Sequence, residues 1–191
     1  MKFDTGRFIL KIAETSEELH AAQRLRYKVF VEEMGANVAD DCHASRMEYD
    51  KFDQDFDHLI LIDSLNRNTA ENVVGVYRLM LNTSVNKNRG FYSSSEYNLD
   101  KLIKADRKIL ELGRSCIDKQ HRGGVALHMM WNGLAQYVID NNVEVLFGVA
   151  SFHGVDINLI NHALSYLHYN HLAPVELRPI AIGENKIDMN I

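Results

Sequence analysis

The sequence predicts a mixed α/β fold, an α+β arrangement in which helices flank one central sheet. Three observations carry this. Two strand-like runs, 58–63 and Val73–Leu81, have only a turn between them, so they pair antiparallel. A later run, Ile109–Ile117, is joined to the apolar run 143–150 through a long helical pattern, which makes a parallel crossover. The 191 residues suit one domain, spanning 1–191, with one sizeable core.

Taken in order, residues 8–13 (FILKIA) alternate as a strand does. Thr15, Ser16, Glu17 and Glu18 match a capping box, so a helix follows. Leu19, Ala22, Arg26, Val29, Phe30 and Glu33 fall on one side of it, an apolar stripe that Arg26 interrupts. Residues 34–47 are irregular and polar and read as a loop; 66–72 read as a turn. In the strand 73–81, Arg78 stands in apolar company. Residues 82–90 are turn-like, and 99–108 read as a short basic helix before the strand at 109. A strong helix over 125–141 carries Leu127, Met130, Trp131, Leu134 and Val138. The apolar run 143–150 reads as a buried central strand. A helix over 156–169 and a terminal strand between 175 and 182 complete the order β, α, β, β, (α), β, α, β, α, β.

Composition narrows the function. With 46% hydrophobic and 25% charged residues the chain is ordinary and globular. A net charge of −5 argues against general nucleic-acid binding. Charge is unevenly spread: from 101 to 122 seven bases (Lys101, Lys104, Arg107, Lys108, Arg114, Lys119, Arg122) face three acids (Asp106, Glu111, Asp118). Such a patch is expected to dock an anionic partner. Cys42 and Cys116 fit no metal or redox spacing and read as small buried hydrophobes, so a reducing compartment is expected. The nine histidines show no zinc-ligand pattern, so no metal is expected. No secretory leader and no apolar stretch of the ~20 residues that span a bilayer is read here. A cytoplasmic protein is expected, with peripheral contact at the inner membrane left open.

Several polar residues sit where chemistry is needed. Glu111 and Arg114 lie inside an apolar strand, where a charge is costly unless paired or used. Three residues apart, they point to opposite faces of a flat strand, and a bulge at Gly113 would bring them to one side. Arg26, flanked by Val29 and Phe30, suits an anion better than lysine would. Glu48, Asp50, Asp53, Asp55 and Asp57, studded with Tyr49, Phe52 and Phe56, form an acidic segment suited to a cationic amine. Ser151, Phe152, His153 and Gly154 follow the apolar strand, where a turn or polarising role is expected of Ser151. The turn Asp118 to Gly124, basic and glycine-containing, precedes a long helix, as in folds that hold a phosphate-bearing group. A group-transfer enzyme is the reading these features support.

Six segments together carry a family resemblance: LRYKVFVEEMG from Leu25, DKFD from Asp50 with Asp57, His58 and Leu59, GVYRL from Gly75, Phe91 with Tyr92, ELGRS from Glu111, and FGVASF from Phe147. Over about residues 8–156 the chain resembles the acyl-carrier-protein-dependent branch of the GNAT acyltransferase superfamily, and most closely the L-ornithine Nα-acyltransferases. The acyl-homoserine-lactone synthases share the skeleton. The resemblance implies a GNAT fold, a mixed sheet with splayed strands. It implies transfer of a (3-hydroxy)fatty acyl group from the phosphopantetheine thioester of acyl carrier protein to the α-amine of L-ornithine, giving lyso-ornithine lipid with no bound cofactor. Another acceptor (glutamine, lysine, glycine), lactone synthesis and a non-catalytic acyl-binding module are the alternatives. It implies Glu111, as base or water-positioner, with Arg114 and Glu48 as catalytic residues. Arg26, Phe30, Asp50, Asp53, Arg78, Ser151 and Phe152 are the implied substrate-binding residues. The turn from Gln120 to Ala126 fits the general GNAT pyrophosphate loop loosely, with Val125 at its last position. That is compatible with a carrier-protein donor, which Lys104, Arg107, Lys119 and Arg122 would dock.

Overall fold

The computed structural model describes residues 1–152, 154–184 and 186–190. The chain runs through β1 (Lys2–Asp4), β2 (Phe8–Ile12), α1 (Ser16–Arg26), a π-helical segment (Tyr27–Glu33), α2 (Asp40–Ser45), a 3-10 turn (Asp53–Asp55), β3 (Asp57–Asp63) and β4 (Val73–Leu81). A second 3-10 turn (Tyr92–Ser95), β5 (Tyr97–Asn98), α3 (Asp100–Lys104) and β6 (Ile109–Ile117) follow. A third 3-10 turn (Lys119–His121), α4 (Gly124–Asp140), β7 (Val145–Gly148), α5 (Ile157–Asn170) and β8 (Ile180–Ala181) complete it. The main sheet has the order β1-β2-β3-β4-β6-β7. All neighbours are antiparallel except β6 and β7, which α4 joins in parallel. The expected mixed sheet flanked by helices is the observed one.

The two faces of the sheet differ. On one face α4 packs Met129, Met130 and Leu134 against Leu10, Leu59, Leu61, Leu79 and Leu110. Each such fully buried leucine is worth roughly 1.5–3 kcal/mol. The other face carries two separate apolar clusters. One lies under α1 (Ala21, Ala22, Leu25, Val29 with Ile60, Val76 and Cys116), the other around Phe52, Phe56, Met80, Phe91, Leu102 and Ile109. β4 alternates Val76, Arg78 and Met80 toward this second face, so Arg78 lies between the two clusters.

Several expectations change. The run 143–150 yields β7, an edge strand rather than a central one: among the described residues it pairs with β6 alone, and its residues alternate between half-buried and exposed. Val145 and Phe147 pack against the Phe91 cluster, while Leu146 between them is exposed and α5 has no buried residue. The terminal strand is the two-residue β8, paired with β5 outside the main sheet. Residues 34–47 contain α2, and the basic helix shrinks to α3. Thr15 caps α1 by accepting from Glu18 N at 3.3 Å, while Glu18 accepts from Glu14 N at 2.8 Å, one residue before the expected partner. Beyond Arg26 the helix widens to i→i+5 bonding, which rotates the stripe. Tyr27 and Val29 are buried there, Phe30 is half-buried and Glu33 is exposed.

Candidate active site

Three arginines and three carboxylates interlock on the face opposite α4. Arg26, at the end of α1, donates from Nε to Glu48 at 2.5 Å and from Nη1 to Asp53 at 2.8 Å, with Nη2 also against Glu48. Arg78 Nη1 reaches Asp53 at 2.7 Å and both oxygens of Asp50 at 2.9 Å. Arg114 Nε donates to the second oxygen of Glu48 at 2.9 Å, and its Nη2 stands 3.5 Å from Asp50. Arg26 and Arg78 are fully buried, which is tolerable only because the charges balance and share hydrogen bonds. Asp53 sits at the centre, with Gln23 Nε2 donating to it at 2.9 Å. Burial opposes its charge, but Arg26 and Arg78 outweigh that and hold its pKa below the ordinary value. His58, the cross-strand partner of Arg78, reaches the Asp53 carbonyl at 3.0 Å, and burial lowers its pKa toward the neutral ring. Arg78 keeps Nε and Nη2 without a hydrogen-bond partner among the described residues, its guanidinium lying 4.5 Å from the Phe56 ring centre and 5.5 Å from that of Tyr92.

The bulge exists, one residue beyond the expected place. Val76 faces Cys116 and Arg78 faces Gly113, so Arg114 and Ser115 together oppose Tyr77. Arg114 takes the left-handed conformation, φ 51°, which turns its side chain into the network. Burial opposes its charge, yet Glu48 and Tyr92 raise its pKa. Glu111 and Arg114 do reach the same side, and they meet through a third element. Glu111 accepts from Tyr92 N at 2.9 Å, Ser93 N at 2.7 Å and Ser93 Oγ at 2.5 Å. Arg114 donates to the Tyr92 hydroxyl at 3.3 Å and lies 5.0 Å from its ring centre. Both therefore converge on the 3-10 turn Tyr92–Ser95. The side chains of Arg114 and Asp50, 25% and 23% exposed, form the open rim of the network.

Past the network the sheet splits. β7 follows β6 only as far as the pair Leu112–Gly148. A Cβ at Gly148 would run into the Leu112 carbonyl oxygen, so glycine permits this last close approach. From Gly113 to Ile117 the outer edge of β6 has no strand beside it among the described residues. The turn after β6 is pinned by Asp118, which accepts from Lys28 Nζ at 2.6 Å and Gln120 N at 2.9 Å. Gly123 and Gly124, at φ 88° and 56°, then open α4 with exposed backbone.

The remaining sequence-derived residues lie elsewhere. Phe30 packs at the margin of the α1 cluster. Ser151 and Phe152 are exposed in the coil after β7, and His153 lies outside the described residues. The four bases do not form one patch. Lys104 pairs with Asp100 and Arg107 stands 3.8 Å from Glu144 before β6 begins, whereas Lys119 and Arg122 follow its end. The nine residues of β6 make eight steps of about 3.3 Å, which place roughly 26 Å between the two groups. Cys116 faces the α1 cluster, and burial pushes its thiol up to about 12, which removes it as a nucleophile. Cys42 is buried too. Sequence reasoning missed Gln23 and Ser93, and gave His58, though among the motif residues, no site role. Gln23 was findable one helical turn before Arg26, and His58 by pairing the two strands, but nothing local marks Ser93.

The acetyltransferase (GNAT) domain family matches residues 25–132. An L-ornithine N(alpha)-acyltransferase of Rhodobacter capsulatus is 44% identical over 181 residues, 94% of this chain and 70% of the relative. Its counterpart in Agrobacterium fabrum is 33% identical over 189 residues, 97% of this chain and 64% of the relative. The chain belongs to the L-ornithine Nα-acyltransferase family, within the GNAT acyltransferases. Among solved structures, the acyl-homoserine-lactone synthase LasI is similar with a TM-score of 0.52 at 18% identity, covering 84% of this chain and 79% of LasI. FeeM, an N-acyl amino acid synthase from uncultured soil microbes, gives 0.52 at 14% identity, over 74% and 70%. These likenesses establish the GNAT fold. In this family frame the network, the strand fork and the glycine turn lie along one strand, β6, and the turn that leaves it.

Proposed function

We propose that the chain transfers a (3-hydroxy)fatty acyl group from a thioester, carried by acyl carrier protein, to the α-amine of L-ornithine, forming lyso-ornithine lipid. The observation that carries this reading is the half-open charge network beside the strand fork. Asp50 and Arg114 offer one carboxylate and one guanidinium at its rim, complementary to an amino acid's ammonium and carboxylate. The fork offers the free edge of Gly113–Ile117 to an extended thioester arm, as an added strand would pair. The turn at Gly123 and Gly124 presents exposed N–H groups to that arm's phosphate.

Chemically, the amine nitrogen bonds to the thioester carbonyl carbon and the carbon–sulfur bond breaks. The α-ammonium gives up two protons: the first passes through water at Asp50, the most open carboxylate of the network, to bulk solvent and frees the lone pair that attacks, and the second ends on the departing sulfur. Glu111, whose oxygens already accept three hydrogen bonds, anchors the turn that carries Tyr92 in this reading. Glu48 holds Arg26 and Arg114 in place. Lys119 and Arg122, near the glycine turn, are the bases this reading assigns to an acidic carrier, although Arg122 already pairs with Glu33 at 2.5 Å. The reaction is assigned to the cytoplasm, with the product passing to the inner membrane. Among the described residues no helix is long and apolar enough to cross a membrane.

The test is mass spectrometry of products from the purified protein with 3-hydroxyacyl-carrier protein, or the coenzyme A thioester, and an equimolar amino acid mixture containing S-adenosylmethionine. Acyl-ornithine from the carrier-protein donor is expected. Another acylated amino acid, a lactone, or turnover from coenzyme A alone would overturn the corresponding part.

A further inference from the structure

The turn that leaves β6 carries a half-buried histidine set between two carboxylates. His121 ends the 3-10 turn Lys119–His121. Its Nδ1 stands 3.2 Å from Asp118 Oδ1, just past the end of β6, and its Nε2 stands 3.2 Å from Asp63 Oδ2, at the end of β3. Two residues further on, Gly123 begins the stretch of exposed backbone that opens α4. The ring therefore ties this turn to a strand on the far side of β4.

Other cations hold both carboxylates as anions. Asp63 takes Arg7 Nη2 at 3.0 Å and the Leu65 N–H at 3.1 Å, and Arg7 lowers its pKa. Burial opposes the charge of Asp118, but Lys28 Nζ at 2.6 Å and the Gln120 N–H at 2.9 Å outweigh it. A neutral imidazole has one N–H, so one of its nitrogens would turn a lone pair toward an anionic oxygen; an imidazolium has a hydrogen for each. Phe8 meets the ring edge-on, 6.1 Å between centres, and brings no charge. The charges around the bridge are Arg7 and Lys28, each paired with one of its carboxylates, then Glu71 and Glu33, which act on Lys28, and Arg122, which pairs with Glu33. A cavity of about 620 Å³ opens beside the ring, lined also by Arg24, Glu32 and Arg46, and gives water access to it.

We infer that His121 is a positioning residue: as imidazolium it bridges Asp118 and Asp63 and sets the glycine turn where the donor's phosphate meets it, so donor affinity falls as rising pH takes the ring's proton. The inference rests on the reading of that turn as the phosphate contact, and goes further by naming the group that holds it and the event that releases it. The phosphate of a carrier's arm is a diester with one fixed charge, so its own ionisation does not produce the effect. His121 belongs to neither the charge network nor the strand fork, so the chemical step does not pass through it.

The experiment measures the Kd of phosphopantetheinylated carrier protein from about pH 6 to about pH 8.5, the range in which histidines change charge. The unaltered protein is compared with His121→Gln and His121→Lys. Its affinity is expected to fall about tenfold across that range, the worth of one charge-assisted hydrogen bond. His121→Gln should bind weakly at every pH, and His121→Lys, a cation throughout, tightly at every pH. At saturating donor, kcat should keep one pH profile in all three. A flat Kd in the unaltered protein, or a slope that survives in His121→Gln, would overturn the assignment. So would an equal slope with carrier lacking its arm, which would mean that the ring's charge steers the carrier and does not set the turn. Urea unfolding without donor separates the two halves of the inference. The stability lost in His121→Gln should shrink as pH rises, because the bridge is present in the protonated form. Shrinkage with a flat Kd would keep the bridge and refute the turn's contact with the donor; no shrinkage would refute the bridge.

Discussion

Asp53→Asn is the most demanding test of the charge network. The substitution keeps shape and one acceptor oxygen but removes the negative charge between two fully buried guanidiniums. Arg26 retains Glu48 and Arg78 retains Asp50, so each loses one charge-assisted hydrogen bond, about 1.5–3 kcal/mol apiece. The new amide N–H₂ also meets the Gln23 donor. The sum agrees with the roughly 3–5 kcal/mol seen when one partner of a buried pair is removed. For a chain of this size, that lowers Tm by about 6–20 °C. Urea unfolding followed by circular dichroism measures it, with Lys104→Ala, which breaks an exposed pair, as a control expected to change nothing measurable. The pH dependence has a definite sign. Asp53 has a folded pKa below its ordinary 3.8, so its contribution is fully present above that value and lost as pH falls through the lower, folded one. The gap between the unaltered protein and Asp53→Asn should be flat from pH 5 to 8 and shrink in strong acid. A loss below about 1 kcal/mol at pH 7, or a gap that widens on acidification, would refute the account of a buried, charge-balanced lattice.

Other perturbations probe single parts. Glu111→Gln should speed hydrogen exchange of the Tyr92 and Ser93 amides and cut kcat/KM at least tenfold; unchanged exchange would show that Glu111 does not anchor the turn. Arg114→Lys loses the fork that spans Glu48, Asp50 and the Tyr92 hydroxyl, and should raise the amino acid KM about tenfold or more with the donor KM unmoved. Gly148→Ala should force β7 off β6 at Leu112, costing about 1–3 kcal/mol of stability and widening acyl-length tolerance, read by denaturation and a chain-length series. Reversing Lys119 and Arg122 to Glu should raise the carrier-protein KM, while reversing Lys104 and Arg107, about 26 Å along the strand, should not; equal effects would contradict the proposed docking end.

The bounds of β4 and β6 were legible because alternation and flanking turn residues agree there. Helix α4 was legible for the analogous reason at helical period. The place of β7 was not, since an apolar run signals a strand without saying how many faces are covered. The π-helical segment escaped because the pattern after Arg26 fits ordinary helical spacing nearly as well. Glu111, Arg114, Arg26 and Arg78 stood out as charges in apolar settings; the three arginines lie in the network and Glu111 holds the turn that Arg114 touches. Which carboxylate each arginine takes depends on loops folding over the sheet, and sequence spacing carries no trace of that. The apparent basic segment was a property of chain order alone: β6 itself separates its two halves.

The two-for-one pairing at Arg114 and Ser115 has an evolutionary corollary. It shifts the in-and-out alternation of β6 by one step, so that Glu111 and Arg114, three residues apart, serve the same side of the sheet. Point substitutions in this strand can retune one side at a time. Deleting or inserting a single residue between Leu112 and Ile117 instead exchanges the two sides wholesale, delivering charge to the aliphatic layer and a hydroxyl to the ion lattice. Changes that preserve length therefore keep both sides in place where insertions and deletions do not, and the strand behaves as a ruler of nine marks.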